Sequence, residues 1–163
     1  MYKDLQKAGI QPVLHKLDNE TSKDLIASIE EKGLEYQLAP PYDHRQNPAE
    51  RAIRTFKNHY IATLYGADDD FPINQWDRLI EQAVMTLNML RPSRINPKLP
   101  AFNQVWGNFD FNKTPLAPPG CKVVVHESVD KRDSFGYHGK EGFYCGWSPN
   151  HYRNVNCWIK ETG

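Results

Sequence analysis

The sequence has few of the features that mark secreted, membrane-spanning or metal-stabilised proteins. Its three cysteines are widely spaced and form no C-x-x-C pair, which argues against both a disulfide framework and a cysteine zinc site. No stretch approaches 18 consecutive apolar residues, and the first residues, MYKDLQKAG, have no apolar signal-peptide core. We therefore expect an intracellular protein that does not contact a membrane.

A net charge of either sign is also absent. Twenty Lys and Arg residues balance twenty Asp and Glu residues, so the overall charge indicates no partner. Basic residues outnumber acidic ones after residue 91, which weakly favours nucleic-acid binding but is equally typical of an ordinary solvated surface. With 39% hydrophobic and 12% aromatic residues, the composition is that of a globular protein.

Strands and helices are predicted to alternate in the first 40 residues. The apolar run at 12–17 predicts a strand that ends in a turn. Thr21 or Ser22 can cap the helix that follows, and Gly33 lies just past its end. Residues 34–38 alternate between apolar and polar side chains, which predicts a half-buried strand.

Two longer helices are predicted next. Asn47 can cap the first, Pro48 fits its first helical position and Gly66 ends it. The second runs from about Asn74 to Arg91. Their apolar faces consist of Ala49, Ile53, Phe56, Tyr60 and Leu64 in the first helix and Trp76, Ile80, Ala83, Leu87 and Leu90 in the second.

The character of the sequence changes towards the C-terminus. Residues 108–119 are polar and contain prolines, which is typical of a linker. Three strand-like runs follow, at 123–125, 142–147 and 155–159. The sequence therefore predicts an α/β region at 1–107, a linker at 108–119 and a small β module at 120–163.

Two carboxylates are candidates for metal-dependent chemistry. Asp18 follows a predicted strand and Glu50 opens a predicted helix, and side chains in such positions can converge at one edge of a sheet. Divalent metal ions held there could activate a nucleophile and stabilise a leaving group in phosphoryl transfer. Both residues also have a structural interpretation, because Asp-Asn is ordinary turn chemistry and a glutamate at this position can complete a capping box.

Basic side chains accompany Glu50. Arg51, Arg54 and Lys57 cluster away from the apolar stripe, and His44 and Arg45 lie just upstream. Such a row of positive charges can contact phosphates beside a metal site. An ordinary solvated helix face explains the same pattern.

These residues form a pattern that resembles a known family. Residues 42–51, YDHRQNPAER, resemble the segment around the catalytic glutamate of retroviral-type integrases, above all those of copia-like LTR retrotransposons, which typically read P-Y-x-P-Q-x-N-G-x-A-E-R. Residues 17–20, LDNE, are similar to the segment of that family's second catalytic aspartate. Further similar segments lie at 87–91, 100–107, 120–123 and 142–146.

The resemblance implies a partial RNase H-like integrase core followed by a small SH3-like β module. It implies DNA integration by metal-dependent polynucleotidyl transfer, with DNA as partner and the nucleus as location. Asp18 and Glu50 correspond to catalytic residues that hold Mg²⁺ or Mn²⁺. The residues expected to contact nucleic acid are Arg45, Asn47, Arg51, Arg54 and Lys57.

The chain departs from this family at its beginning. Only 17 residues precede Asp18, and they contain no counterpart of the strand that carries the family's first catalytic aspartate. We therefore expect a truncated retroelement reading frame that is inactive alone. Because its sheet would have an unpaired edge, we expect the core portion to be marginally stable or to associate with copies or partners. Two alternatives stay open: a non-catalytic nucleic-acid- or protein-binding module derived from a retroelement, and a decaying fragment without function.

Overall fold

The architecture is mixed α/β. The computed structural model describes residues 2–19, 21–40 and 48–161. Within these ranges the chain forms five α-helices and two small, separate sheets, and neither sheet closes into a barrel. None of the described helices combines the length and apolarity needed to span a lipid bilayer.

The N-terminal elements form a strand–helix–strand unit behind a short helix. They are α1 (Tyr2–Lys7), β1 (Leu14–Leu17), α2 (Lys23–Glu31) and β2 (Glu35–Leu38). β1 and β2 are parallel, with Leu14 opposite Glu35 and Leu17 opposite Leu38. Of the two predicted caps for α2, Ser22 is the one used, since its hydroxyl accepts a hydrogen bond from the Leu25 N–H at 3.3 Å.

The expectation that residues 34–38 form a half-buried strand is only partly correct. The strand exists, but all four residues of β2 are exposed, and Leu34 just before it is the buried one. Alternation of apolar and polar residues buries one face only if something covers that face. Because this sheet has two strands and packs mainly against α2, Tyr36 and Leu38 stay in contact with water.

The helical part of the chain begins with α3 (Pro48–Tyr65) and continues through a 3₁₀ helix (Ile73–Leu79) into α4 (Ile80–Leu90) and α5 (Ala101–Trp106). The prediction of one helix from Asn74 to Arg91 was wrong for residues 74–79, where the backbone is 3₁₀ and kinks at Gln75 (φ −99°, ψ 17°). Since a 3₁₀ helix has three residues per turn, the kink changes which side chains face inward. Leu79 is fully buried, whereas Trp76 is 47% exposed.

The predicted apolar stripe of α3 is buried over only part of its length. Tyr60 is buried, and Phe56 and Leu64 pack partly buried against the same cluster. Ala49 and Ile53, one to three turns earlier, are exposed. The N-terminal half of α3 therefore lies outside the core, and the side chains on it face solvent.

The three strands predicted after residue 120 are confirmed. They are β3 (Lys122–His126), β4 (Gly139–Trp147) and β5 (Val155–Trp158), paired antiparallel in the order β3-β4-β5. The register of the second pair shifts between Tyr144 and Gly146. β4 is the central strand of this sheet, and five consecutive residues of it, from Gly142 to Gly146, are buried.

One hydrophobic cluster joins the helices to this sheet. Its buried members are Tyr60, Phe71, Leu79 and Ala83 from the helical part and Phe143 and Cys145 from β4. The buried Gln82 adds a hydrogen bond between α4 and the segment at 108–119, because its Nε2 donates to the Ala117 carbonyl at 2.8 Å. The segment at 108–119 is thus anchored on α4. The division into domains at 1–107 and 120–163 stays a prediction.

Candidate metal and nucleic-acid site

Asp18 lies at the carboxyl edge of the parallel pair. β1 ends at Leu17 and β2 at Leu38, and the Ala39 N–H donates to the Leu17 carbonyl at 2.8 Å, so the two strands end together. The Asp18 side chain is exposed, and its Oδ1 accepts the Asn19 N–H at 2.8 Å. One carboxylate oxygen therefore takes part in a local turn, as the structural interpretation of Asp-Asn expected.

Glu50 lies in the first turn of α3 and is exposed. A carboxylate in this position interacts favourably with the positive end of the helix dipole. Asn47, the residue expected to cap this helix, lies outside the described residues, as does Arg45. The predicted capping box and the predicted nucleic-acid contacts of these two residues therefore stay predictions.

The carboxylates are of the right chemical type for Mg²⁺ or Mn²⁺, which prefer oxygen ligands. A two-ion centre needs a larger set of ligands held together. In the part of the chain that the structure describes, no three side chains of His, Cys, Asp or Glu come together as a metal site. Asp18 and Glu50 alone do not make up a complete two-ion centre.

Arg51, Arg54 and Lys57 are all exposed in the N-terminal part of α3. They follow one another at steps of three residues, about 4.5 Å along the helix axis. Each step of three falls about 60° short of a full turn, so the three side chains cover roughly a third of the helix circumference. The structure thus presents three of the five predicted nucleic-acid contacts as one solvated basic face, which begins next to Glu50.

The cysteines do not form a second reactive centre. Burial raises the pKa of the Cys121, Cys145 and Cys157 thiols above their ordinary value. A raised pKa lowers the thiolate fraction at neutral pH, and the thiolate is the nucleophile and the metal ligand. All three are unpaired, and Cys145 contributes to the hydrophobic cluster.

The structure contains an aromatic groove that was not predicted from the sequence. It lies between α4, α5, residues 108–114 and the end of β4. The available signal was the density of aromatic residues at 102, 106, 109 and 111, inside and just before a segment that was interpreted as a linker. The linker prediction was based on the proline and polar residues of this segment, although Phe109 and Phe111 are not typical of a linker.

Comparison with known proteins adds no relative to these observations. No protein-family model matches the chain, and no curated protein matches it. The resemblance to integrases therefore rests on the motif residues around Asp18 and Glu50 and on the order of the elements that carry them.

Proposed function

We propose that the chain is part of an integrase of the copia-like type, an RNase H-like core portion followed by an SH3-like β module, and that it binds DNA. The observation that carries the proposal is the solvated basic face of α3, formed by Arg51, Arg54 and Lys57. Its support is the element order: parallel β1 and β2 with Asp18 at their carboxyl edge, then a helix that begins beside Glu50.

The proposed link to DNA integration includes a nuclear location and, for an assembled site, Mg²⁺ or Mn²⁺. Bound metal ions would supply electrostatic activation of the attacking and leaving oxygens. What the chain's own residues contribute is simpler. Arg51, Arg54 and Lys57 attract phosphates, while Asp18 and Glu50 offer oxygen ligands that other groups must complete.

The alternative is a non-catalytic binding module, and the same basic face supports it, because phosphate attraction needs no carboxylates. Exposed apolar side chains on the small parallel sheet, among them Leu14, Tyr36 and Leu38, favour association with a partner or with a second copy. Among the described residues, the outer edges of this two-stranded sheet have no strand partner, which favours the same outcome. A homo-oligomer is therefore part of the proposal.

The 163-residue chain should not catalyse 3′-processing or strand transfer. Two carboxylates do not hold two cations in register, so labelled duplex ends incubated with Mg²⁺ or Mn²⁺ should yield no product. The matched control is Glu50→Gln, which removes a carboxylate charge without changing side-chain size. Product formation by the unchanged chain above the level of this variant would contradict the prediction.

The chain should bind short duplex DNA weakly and without sequence preference. With three phosphate contacts, the logarithm of the affinity should fall with the logarithm of salt concentration at a slope of about −2.7, roughly −0.9 for each contact. Replacing Arg51 and Arg54 by alanine should reduce that slope by about two units and weaken all sequences alike. Fluorescence anisotropy with a labelled duplex at several salt concentrations measures both quantities.

The control removes the same charge elsewhere. Lys7→Ala combined with Lys23→Ala takes two exposed cations from α1 and α2, and it should leave the slope within about half a unit of the original value if α3 holds the contacts. Absence of binding at low salt, or equal slopes for the two double variants, would refute the proposed site.

A further inference from the structure

The aromatic groove has the size of a ligand site. Its volume is about 680 Å³, within the range of about 300–1,000 Å³ that is usual for such sites. Four aromatic side chains line it: Phe102 and Trp106 from α5, Phe109 from the following loop and Trp147 from β4. It lies on elements other than β1, β2 and α3, so its function is separate from DNA contact by the basic face.

The four rings form one continuous wall. The Phe102 centroid is 5.1 Å from that of Trp106 and 5.5 Å from that of Phe109, and Phe109 is 6.3 Å from Trp147. Neighbouring rings are therefore at the centroid distances that are typical of aromatic contacts. Trp106 is 59% exposed, so a ligand that covers its indole removes a large apolar surface from water.

The charges along the groove favour a cationic ligand. Glu81 and Asp110 line it together with one lysine, Lys113. The Asp110 Oδ1 accepts the N–H groups of Asn112 at 2.9 Å and Lys113 at 3.1 Å, which holds the carboxylate in place. Across residues 2–19, 21–40 and 48–161, no ion pair involves any of the three charged side chains. Their sum is one negative charge.

We propose that this groove binds a proline-containing, positively charged segment of a partner protein. Proline-rich segments are already extended in the polyproline II conformation, so little conformational entropy is lost when they dock on aromatic grooves. Flat proline rings suit a wall of touching aromatic rings, and an arginine in the segment pairs with Glu81 or Asp110. The lining also includes the aliphatic side chains of Ile80, Val84 and Met85 from α4, so a basic amphipathic helix is the competing ligand that the test has to distinguish.

The test uses the full chain and a synthetic peptide. The peptide begins with two arginines and continues with repeats of two alanines followed by two prolines. We expect the indole N–H signals of Trp106 and Trp147 in ¹⁵N–¹H spectra to shift on titration, whereas those of Trp76 and Trp158, which do not line the groove, stay in place. Two control peptides separate the contributions. One replaces proline by alanine, the other replaces arginine by glutamate, and both should bind at least about ten-fold more weakly.

Variants test the wall and the charges separately. Trp106→Ala should weaken binding at least about ten-fold, while Phe135→Ala, which removes a fully exposed aromatic ring outside the groove, should not change it. Glu81→Gln combined with Asp110→Asn removes two negative charges from the groove. This double variant should weaken binding of the arginine-containing peptide only and should reduce the salt dependence of that binding. Glu30→Gln combined with Glu31→Gln, which removes two charges from exposed positions of α2, is the matched control.

The outcomes that overturn the inference are specific. They are equal binding of the proline-free peptide, tighter binding of a basic amphipathic helix than of the proline peptide, and shifts confined to Trp76 or Trp158. Absence of any shift at millimolar peptide would overturn it too. If Trp106→Ala unfolds the chain, the charge variant decides: unchanged affinity for the arginine peptide then refutes the proposed recognition. None of these results depends on DNA binding.

Discussion

Replacing Leu79 with alanine should lower the free energy of unfolding by about 2–5 kcal/mol. Leu79 is fully buried in the hydrophobic cluster that joins the helices to the sheet. Its side chain also lies near Gly120, since a Cβ built on Gly120 would be in ordinary van der Waals contact with the Leu79 Cδ1, at 3.5 Å. Truncation to alanine leaves a cavity between the helices and the sheet. The loss in the free energy of unfolding therefore includes the lost transfer free energy of the side chain and a term for the cavity.

Urea denaturation followed by tryptophan fluorescence measures this loss. Ile73→Ala is the matched control, because Ile73 begins the same 3₁₀ helix but is 67% exposed. It should change the free energy of unfolding by no more than about 0.5 kcal/mol. If both variants lost the same free energy of unfolding, packing between the helices and the sheet would not be the main source of stability.

Replacing Gly142 with alanine should cost about 1–3 kcal/mol of stability, and the loss should concentrate in the pairing of β4 with β5. A Cβ at this position would lie 2.6 Å from the Trp158 carbonyl oxygen and 3.2 Å from the Ile159 Cγ1. The closer atom belongs to the backbone of a paired strand, so it cannot move away by changing a rotamer. One of the two strands must shift instead.

Gly136→Ala controls for the general effect of replacing a glycine. The three atoms nearest to its Cβ would all belong to Asp133, at 3.4–3.5 Å, in the connection between β3 and β4. Its stability should stay the same or rise slightly, since alanine restricts the unfolded chain. Hydrogen exchange should show faster exchange of β5 amides in Gly142→Ala and native rates in Gly136→Ala. Native exchange in both variants would contradict the prediction.

Local signals in the sequence were sufficient for the type and position of most elements. Ser22 caps α2 as one of two candidates, Pro48 occupies the first turn of α3, and the three strands after residue 120 form where apolar runs predicted them. Each of these depends on backbone geometry and hydrogen bonding over a few neighbouring residues. The sequence likewise singled out Asp18 and Glu50 by their positions at the end of a strand and the start of a helix.

Burial was decided only by the tertiary structure. Trp76 and Ile53 belong to stripes that were expected to face the core, yet both are exposed, and Leu79, outside those stripes, is fully buried. The spacing of apolar residues shows which face of a helix is apolar, whereas the burial of that face depends on the neighbouring elements that cover it. The aromatic groove follows the same rule, since α4, α5, a loop and β4 contribute to it. Sequence determines local conformation through nearby atoms, and the packing of distant segments determines which surfaces remain available for binding.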